Sequence, residues 1–354
     1  MILVLKKGLD RRRIDDIRDR LLQLGLASES AHSGDCTYVI VSGEASTMPA
    51  HLFSQIEGVE KVIDVSARCP MVLAAKRDQF AGPGAEAFSG QSPFFIAGPC
   101  SIESEEQILA TAQAVKIAGA DALRGGAFKP RTNPYDFRGL GKPALEFLAQ
   151  ASKHTGLPVV SEVMSAEQIS LAHDYIDVFQ VGARNMYNYE LLRELGKTRK
   201  PILLKRAMAA TIDELLQAAE YILLEGNLQV ILCERGIRSF ETRTRNTLDL
   251  NAVALLKSLV GLPVIVDPSH GTGRGSLVKP MALAAIACGA DGLMIETHCC
   301  PEKSISDADQ AITPEELAEI IPQAKAIAQI VKPQAADQAP HAVLPERKVL
   351  LSQH

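Results

Sequence analysis

The chain lacks any segment of about 18 uninterrupted apolar residues, the length a helix needs to cross a bilayer. Its opening Met1-Ile2-Leu3-Val4-Leu5-Lys6-Lys7 has too short an apolar stretch for a secretory signal. Blocks of one charge are also missing: 37 basic and 42 acidic residues leave a formal charge of −5 with neither sign clustered. That balance excludes nucleic acid and anionic membrane as partners and leaves a small molecule. Nor is there a cysteine framework. Seven cysteines, an odd number without regular spacing, exclude a disulfide-stapled secreted domain and point to a reducing, cytoplasmic compartment. What remains is a soluble protein of 354 residues, 47% hydrophobic, enough for one large core and a small extra module.

Residues 1–66 read as strand (Ile2 to Leu5), amphipathic helix (Arg11 to Leu24), weak strand (Ala27 to His32), strand (Thr37 to Ser42), helix (Pro49 to Ile56) and strand (Lys61 to Val65). This order predicts a βαββαβ, ferredoxin-like module. Pro70, Ala81-Gly82-Pro83-Gly84 and Ser89-Gly90-Gln91-Ser92 mark 67–92 as a linker. From 93 to 333, short apolar runs alternate with helix patterns: Phe94 to Ala97, Ala122 to Arg124, Pro158 to Val163, Val178 to Ala183, Pro201 to Lys205, Val230 to Cys233, Pro263 to Asp267 and Gly292 to Glu296. Ser104 with Gln107, Ser165 with Gln168 and Thr211 with Glu214 have capping-box spacing, and Thr313-Pro314-Glu315-Glu316 opens the last helix. Gly119-Ala120-Asp121-Ala122-Leu123 nearly repeats as Gly289-Ala290-Asp291-Gly292-Leu293, as recurring βα units would. Eight such units predict an α/β fold of the (β/α)₈ TIM-barrel type. A doubly wound open sheet is the alternative, but no Gly-x-Gly-x-x-Gly turn follows the first strand. Residues 334–354 read as a tail.

In such a barrel, chemistry sits where strands end. Cys100, His270, Glu296 and Asp307 follow strands one, seven and eight, which barrel closure makes neighbours. A lone cysteine after an apolar strand is ordinarily inert core. Together, however, a thiolate, an imidazole and two carboxylates suit a divalent transition metal, whereas Mg²⁺ or Ca²⁺ rarely takes sulfur. Arg124, Lys129, Arg131, Arg184, Lys205 and Arg235 fall at the same mouth. Any one of them alone reads as a surface ion pair. Six at strand ends call for anions, and two phosphates with one carboxylate would balance them.

The segments Ala97-Gly98-Pro99-Cys100-Ser101, Leu123-Arg124-Gly125-Gly126-Ala127-Phe128-Lys129-Pro130-Arg131-Thr132, Val181-Gly182-Ala183-Arg184-Asn185, Leu204-Lys205-Arg206, Leu232-Cys233-Glu234-Arg235-Gly236 and Val266-Asp267-Pro268-Ser269-His270 resemble those of 3-deoxy-D-arabino-heptulosonate 7-phosphate (DAHP) synthases. The likeness covers about 93–332 and is greatest to the type I microbial form with a ferredoxin-like regulatory domain. It implies condensation of phosphoenolpyruvate with erythrose 4-phosphate, the first step of the shikimate pathway. Cys100, His270, Glu296 and Asp307 match the family's ligands for a metal such as Mn, Fe, Co or Zn. Arg124, Lys129, Arg184, Lys205 and Arg235 match its phosphoenolpyruvate cradle, Arg131 and Thr132 its aldose-phosphate contacts, and Asp267 a contact to the aldose hydroxyls. Lys129 and His270 are the expected proton-transfer residues. The module is expected to bind tyrosine or phenylalanine, its open sheet face covered by a second copy in a dimer or tetramer, and to sit over a barrel mouth.

Four departures from the family pattern stand out: Asn133, Gly275-Ser276, Cys299-Cys300 after His298, and Ala308 beside Asp307. The first two bear on substrate choice and the last two on the metal. Rival readings are a 3-deoxy-octulosonate 8-phosphate synthase or another phosphoenolpyruvate–sugar phosphate synthase, a non-catalytic amino-acid sensor, and an unrelated metal-dependent hydrolase. Lys129-Pro130-Arg131-Thr132 favours the four-carbon aldose over the first rival.

Overall fold

The computed structural model describes residues 1–33, 36–42, 48, 50–63, 69–90, 92–130, 133 and 135–331. The expected tail, 334–354, lies outside the described residues. The chain opens with β1 (Ile2–Leu5), α1 (Arg11–Gln23), β2 (Ala27–Ser33), β3 (Cys36–Ser42), α2 (Ala50–Ser54) and β4 (Val59–Ile63). The strands form a sheet in the order β2-β3-β1-β4 with every neighbour antiparallel. Alternation divides each strand between two faces. Leu3, Leu5, Val39 and Val41 meet Ile14, Ile17 and Leu21 of α1 and Phe53 of α2 in one core. Ile2, Val4, Tyr38 and Ile40 point the other way.

That second face, expected to be open, is partly covered within the chain. It packs against Cys69, Met71 and Val72, at the start of α3 (Pro70–Ala74). Both backbone N–H groups of Met71 and Val72 donate to the buried Glu220 carboxylate, at 2.8 and 2.9 Å, which pins α3 to the barrel. The rest of the expected linker is packed as well. Phe80, Phe88 at the end of α4 (Ala85–Phe88), and Phe94 stack edge to face, with centroids 5.1 and 5.3 Å apart. They join the barrel interior beside Ile96, Val160, Leu203, Ile265 and Met294. Gly82 is needed there, since a Cβ on it would lie 2.2 Å from Pro201 Cγ.

The barrel runs β5 (Phe94–Gly98), α5 (Glu105–Ala118), β6 (Ala122–Arg124), α6 (Lys142–Thr155), β7 (Val159–Glu162), α7 (Ala166–Ala172), β8 (Val178–Val181), α8 (Tyr189–Gly196), β9 (Ile202–Lys205), α9 (Ile212–Leu224), β10 (Val230–Glu234), α10 (Leu250–Leu259), β11 (Val264–Val266), α11 (Pro268–Thr272), α12 (Gly275–Ala287), β12 (Gly292–Glu296) and α13 (Pro314–Val331). The eight strands β5 to β12 close on themselves, β12 pairing in parallel with β5. The repeated Gly-Ala-Asp turn has a physical cause: the aspartate before a strand accepts an N–H at the start of a neighbouring strand. Asp121 takes Phe95 N at 2.9 Å and Asp291 takes Val264 N at 2.8 Å. Asp177 does the same for Val159 N at 2.7 Å. Of the capping boxes expected from spacing, Thr211 and Glu214 bond reciprocally. Ser104 and Ser165 cap their helices, but Gln107 and Gln168 reach one residue further back, to Glu103 N and Met164 N.

Candidate active site

The C-terminal strand ends bring the chemistry-bearing side chains around one cavity of about 320 Å³. Cys100 stands two residues past β5. There β5 comes so close to β6 that a Cβ on Gly98, at φ +147, would meet Arg124 O at 2.1 Å. Glu296 closes β12, and Asp307 follows in the next loop. Donor atoms of Cys100, Glu296 and Asp307 all lie within 4.8 Å of one another. Asp307 holds a left-handed backbone, φ 55, the one positive φ outside glycine among the described residues. A strained conformation at a functional position is retained where the surroundings enforce it. Ala308 beside it is not left-handed, so that position has no backbone need for glycine.

His270 is the fourth expected ligand. Its Nε2 lies 3.4 Å from Glu296 Oε1, and its Nδ1 is 2.7 Å from Asp267 Oδ2. Burial pushes its pKa down to about 4, against the pull of Asp267 and Glu296. The ring is therefore neutral near pH 7. An Nδ1–H donated to Asp267 leaves the Nε2 lone pair facing the cluster, the usual arrangement behind a metal-binding imidazole. Burial, reinforced by Glu296, pushes the Cys100 thiol up to about 11, so a bound cation has to displace its proton. Burial would raise Glu296, but His270, Arg124 and Lys129 hold it far below the usual carboxylate range. One sulfur, two carboxylates and a neutral imidazole are a donor set that fits a divalent transition metal. The adjacent thiols Cys299 and Cys300 are half-buried and stand apart from this cluster.

Lys129 bridges the donor cluster and the cavity. Its Nζ lies 2.9 Å from both the carbonyl and the sulfur of Cys100. Burial pulls its pKa down, but Cys100 and Glu296 outweigh that and raise it, so it is an ammonium. Arg124 Nη1 bonds Glu296 Oε1 at 2.8 Å. Lys205 Nζ reaches Asp267 Oδ2 at 2.5 Å. Arg184 and Arg235 complete the expected cradle on the cavity wall. Burial lowers the pKa of Arg235, whose guanidinium makes a long 3.4 Å bond to Gly236 O. Arg131 and Thr132 lie outside the described residues.

One placement differs from expectation. Asp267 is fully buried, is not on the cavity wall, and spends its oxygens on Lys205 and on the ring and backbone N–H of His270. Both of its oxygens are engaged by those two residues, one by His270 N and the other by Lys205 Nζ and His270 Nδ1.

Other wall residues went unnoticed in the sequence, among them Asp136, Glu162, Gln180, Arg238 and Arg245. Glu162 and Gln180 end β7 and near-end β8, so the strand-end rule reaches them both. Glu162 Oε1 is buried without a hydrogen-bond partner, while Oε2 accepts from Gln180 Nε2 at 3.1 Å. Gly182 makes room for it, since a Cβ there would lie 2.0 Å from Oε1. The cavity thus has seven cations, Arg124, Lys129, Arg184, Lys205, Arg235, Arg238 and Arg245, against the carboxylates Asp136, Glu162 and Asp307. That excess suits an anion with several acceptor oxygens.

Comparison with known proteins agrees with this geometry. Residues 76–332 match the DAHP synthetase I family, and residues 1–67 match the DAHP synthase ferredoxin-like domain. A phospho-2-dehydro-3-deoxyheptonate aldolase of Thermotoga maritima is 39% identical over 332 residues, 93% of this chain and 98% of that protein. A 2-dehydro-3-deoxyphosphooctonate aldolase of Desulfatibacillum aliphaticivorans is 32% identical over 256 residues, 67% of this chain and 93% of that protein. The crystal structure of the Thermotoga maritima enzyme covers 94% of this chain and 98% of its own, with TM-score 0.67 at 36% identity. A family model spanning the whole barrel, and a relative spanning nearly the whole chain, leave one conclusion: this chain belongs to the DAHP synthetase I family.

Proposed function

We infer that this enzyme condenses phosphoenolpyruvate with D-erythrose 4-phosphate, giving 3-deoxy-D-arabino-heptulosonate 7-phosphate and inorganic phosphate. The activity is that of its family. The observation that carries it to this chain is a cavity with an excess of cations built directly against the Cys100, Glu296 and Asp307 donor cluster, with His270 beside Glu296. The octulosonate relatives are more distant and match about two thirds of the chain.

Each residue's role is our reading. Cys100, His270, Glu296 and Asp307 hold a divalent transition metal, which when bound supplies Lewis-acid polarisation of the aldehyde oxygen. Arg124, Arg184, Lys205 and Arg235 bind the phosphate and carboxylate of phosphoenolpyruvate, and Arg131 with Thr132 binds the aldose phosphate. C3 of phosphoenolpyruvate attacks the aldehyde carbon, and the electron pair goes to that oxygen, which takes a proton. C2, left electron-deficient as its π pair forms the new bond, takes up water, which gives up a proton, and the phosphohemiketal expels phosphate by C–O cleavage, its hydroxyl proton leaving as the ketone forms. Lys129, an ammonium in this site, is the proton donor near the reacting carbons. Glu162, with one buried oxygen lacking a partner, is placed to accept a proton or hold a water.

The N-terminal module is read as a regulatory site for an aromatic amino acid, tyrosine or phenylalanine. In one chain it packs on α3, beside the N-terminal ends of β9 and β10. It could therefore close a barrel mouth only on a neighbouring subunit of a dimer or tetramer. No helix among the described residues is long and apolar enough to cross a membrane, and we place the enzyme in the cytoplasm. The deciding experiment mixes purified protein and Mn²⁺ with phosphoenolpyruvate and three-, four- or five-carbon aldose phosphates. Phosphate release should be fastest with the four-carbon sugar; preference for the five-carbon sugar would overturn the assignment.

A further inference from the structure

Gln310 is 2% exposed and is not on the cavity wall, yet both ends of its amide are committed. Its Nε2 donates to Glu296 Oε2 at 2.6 Å, and its Oε1 accepts from Arg245 Nη1 at 2.7 Å. The orientation is forced, because an ionised carboxylate only accepts and a guanidinium only donates. Arg245 Nη1 is also 3.4 Å from Asp307 Oδ2. A neutral amide and a cation thus join two carboxylates of the donor cluster, and they come from separate loops, one after β10 and one after β12. Gly273, at φ +70, admits Arg245, for a Cβ there would lie 2.4 Å from Arg245 Cβ.

We propose that Gln310 and Arg245 form a positioning bridge that holds Glu296 and Asp307 in ligating orientation, a role that rests on the metal-site reading above. Glu296 is fastened at both oxygens, Oε1 by Arg124 at 2.8 Å and Oε2 by Gln310. Its carboxylate cannot swing about its last torsion while both bonds hold, and it stays within 4.8 Å of the Cys100 and Asp307 donor atoms. Asp307 sits on a strained backbone, and Arg245 restrains it from the side. Glutamate at 310 would set like charge against Glu296, lysine could not accept from Arg245, and an apolar side chain would serve neither contact. Outer partners of this kind orient metal ligands, and losing one typically weakens metal affinity roughly 10- to 100-fold.

The test measures Mn²⁺ affinity of the purified full chain by competition with a chelating dye, for wild type, Gln310→Leu, Arg245→Ala, the double variant, and Cys100→Ala as control. Gln310→Leu should bind roughly 10- to 100-fold more weakly. The double variant should fall no further than the weaker single, within about twofold, because both act through one bridge. At saturating Mn²⁺, Gln310→Leu should recover the wild-type Michaelis constant for phosphoenolpyruvate, which a general loss of structure would not do. Wild-type Mn²⁺ affinity in Gln310→Leu, with affinity lost in Cys100→Ala, overturns the bridge. Undiminished affinity in Cys100→Ala instead overturns the metal site itself. Should Gln310→Leu fail to fold, Arg245→Ala, whose side chain is 36% exposed, decides alone by the same criterion.

Discussion

The two ends of the barrel handle charge in opposite ways. At the base, each aspartate is answered within the fold. Asp291 is fully buried, accepts Val264 N, and pairs with Lys257 at 2.7 Å and with Arg77 of the preceding segment. Asp121 and Asp177 close neighbouring strands in the same way. At the mouth, cations outnumber carboxylates on the cavity wall, and the buried Glu296 beside it accepts from both Arg124 and the Gln310 amide. Charge at the base locks strand ends together, whereas charge at the mouth is held in excess for a ligand. Stability and chemistry are thereby assigned to opposite faces, as barrel architecture permits.

The sharpest way to break this contrast is at the mouth. Cys100→Ala should remove metal-dependent turnover by more than the roughly 100-fold that loss of even an outer partner costs. Steady-state assays after metal stripping and Mn²⁺ addition would check it, and full activity would end the metal assignment. At the base, Asp291→Ala should cost roughly 3–5 kcal/mol, because Arg77 and Lys257 lose a buried partner. Its kcat/KM should be unchanged wherever the protein is folded. Denaturant melts beside assays would reveal a catalytic effect out of proportion to stability, which would undo the division of labour.

Arg184→Ala should show the reverse pattern. Losing a charged hydrogen bond to phosphoenolpyruvate should raise that Michaelis constant roughly tenfold, with stability shifted by less than about 0.5 kcal/mol. Arg131→Ala should raise the constant for erythrose 4-phosphate instead. Impairment of phosphoenolpyruvate use alone by Arg131→Ala would disprove the assignment of that segment.

The smallest expected effect is in pH dependence, where the two ends differ in sign. Burial would raise Asp267 at the mouth, but His270 and Lys205 hold it well below the usual carboxylate range. Its stabilisation is present above the unfolded value of ~3.9 and is lost as pH falls toward the folded value. Asp121 at the base is raised, by burial, despite Phe95 N–H and Lys325. Its contribution is complete below the unfolded value and is lost as pH rises through the folded one. Between pH 5 and pH 3, wild type should therefore lose roughly 1 kcal/mol more stability than Asp267→Asn. Parallel urea-unfolding profiles for the two would refute this.

Much of this was legible because it rests on local patterns. Short apolar runs, Ile2–Leu5 and the eight of the barrel, marked the strands, since such runs bounded by turn residues have few other uses. Closure of those strands into a barrel placed Cys100, His270 and Glu296 near one another before any distance was known. Glu162 and Gln180 lie inside the third and fourth apolar runs, Pro158 to Val163 and Val178 to Ala183, and were missed because chemistry was sought past the ends of those runs.

The sequence by itself determined the elements, their order, and the residue types at the strand ends, because propensity, periodicity and chain direction are properties of neighbours along the chain. Tertiary structure alone decided the rest. It turned the expected linker into a plug, Phe80 and Phe88 closing the barrel base, because the apolar strand ends there needed covering. It covered part of the second face of the N-terminal sheet with α3. It withdrew Asp267 from the wall to orient Lys205 and His270, and set Gln310 between Glu296 and Arg245. Each of these depends on which distant groups share a burial environment, and a buried polar atom takes whatever partner the packed fold brings within bonding distance.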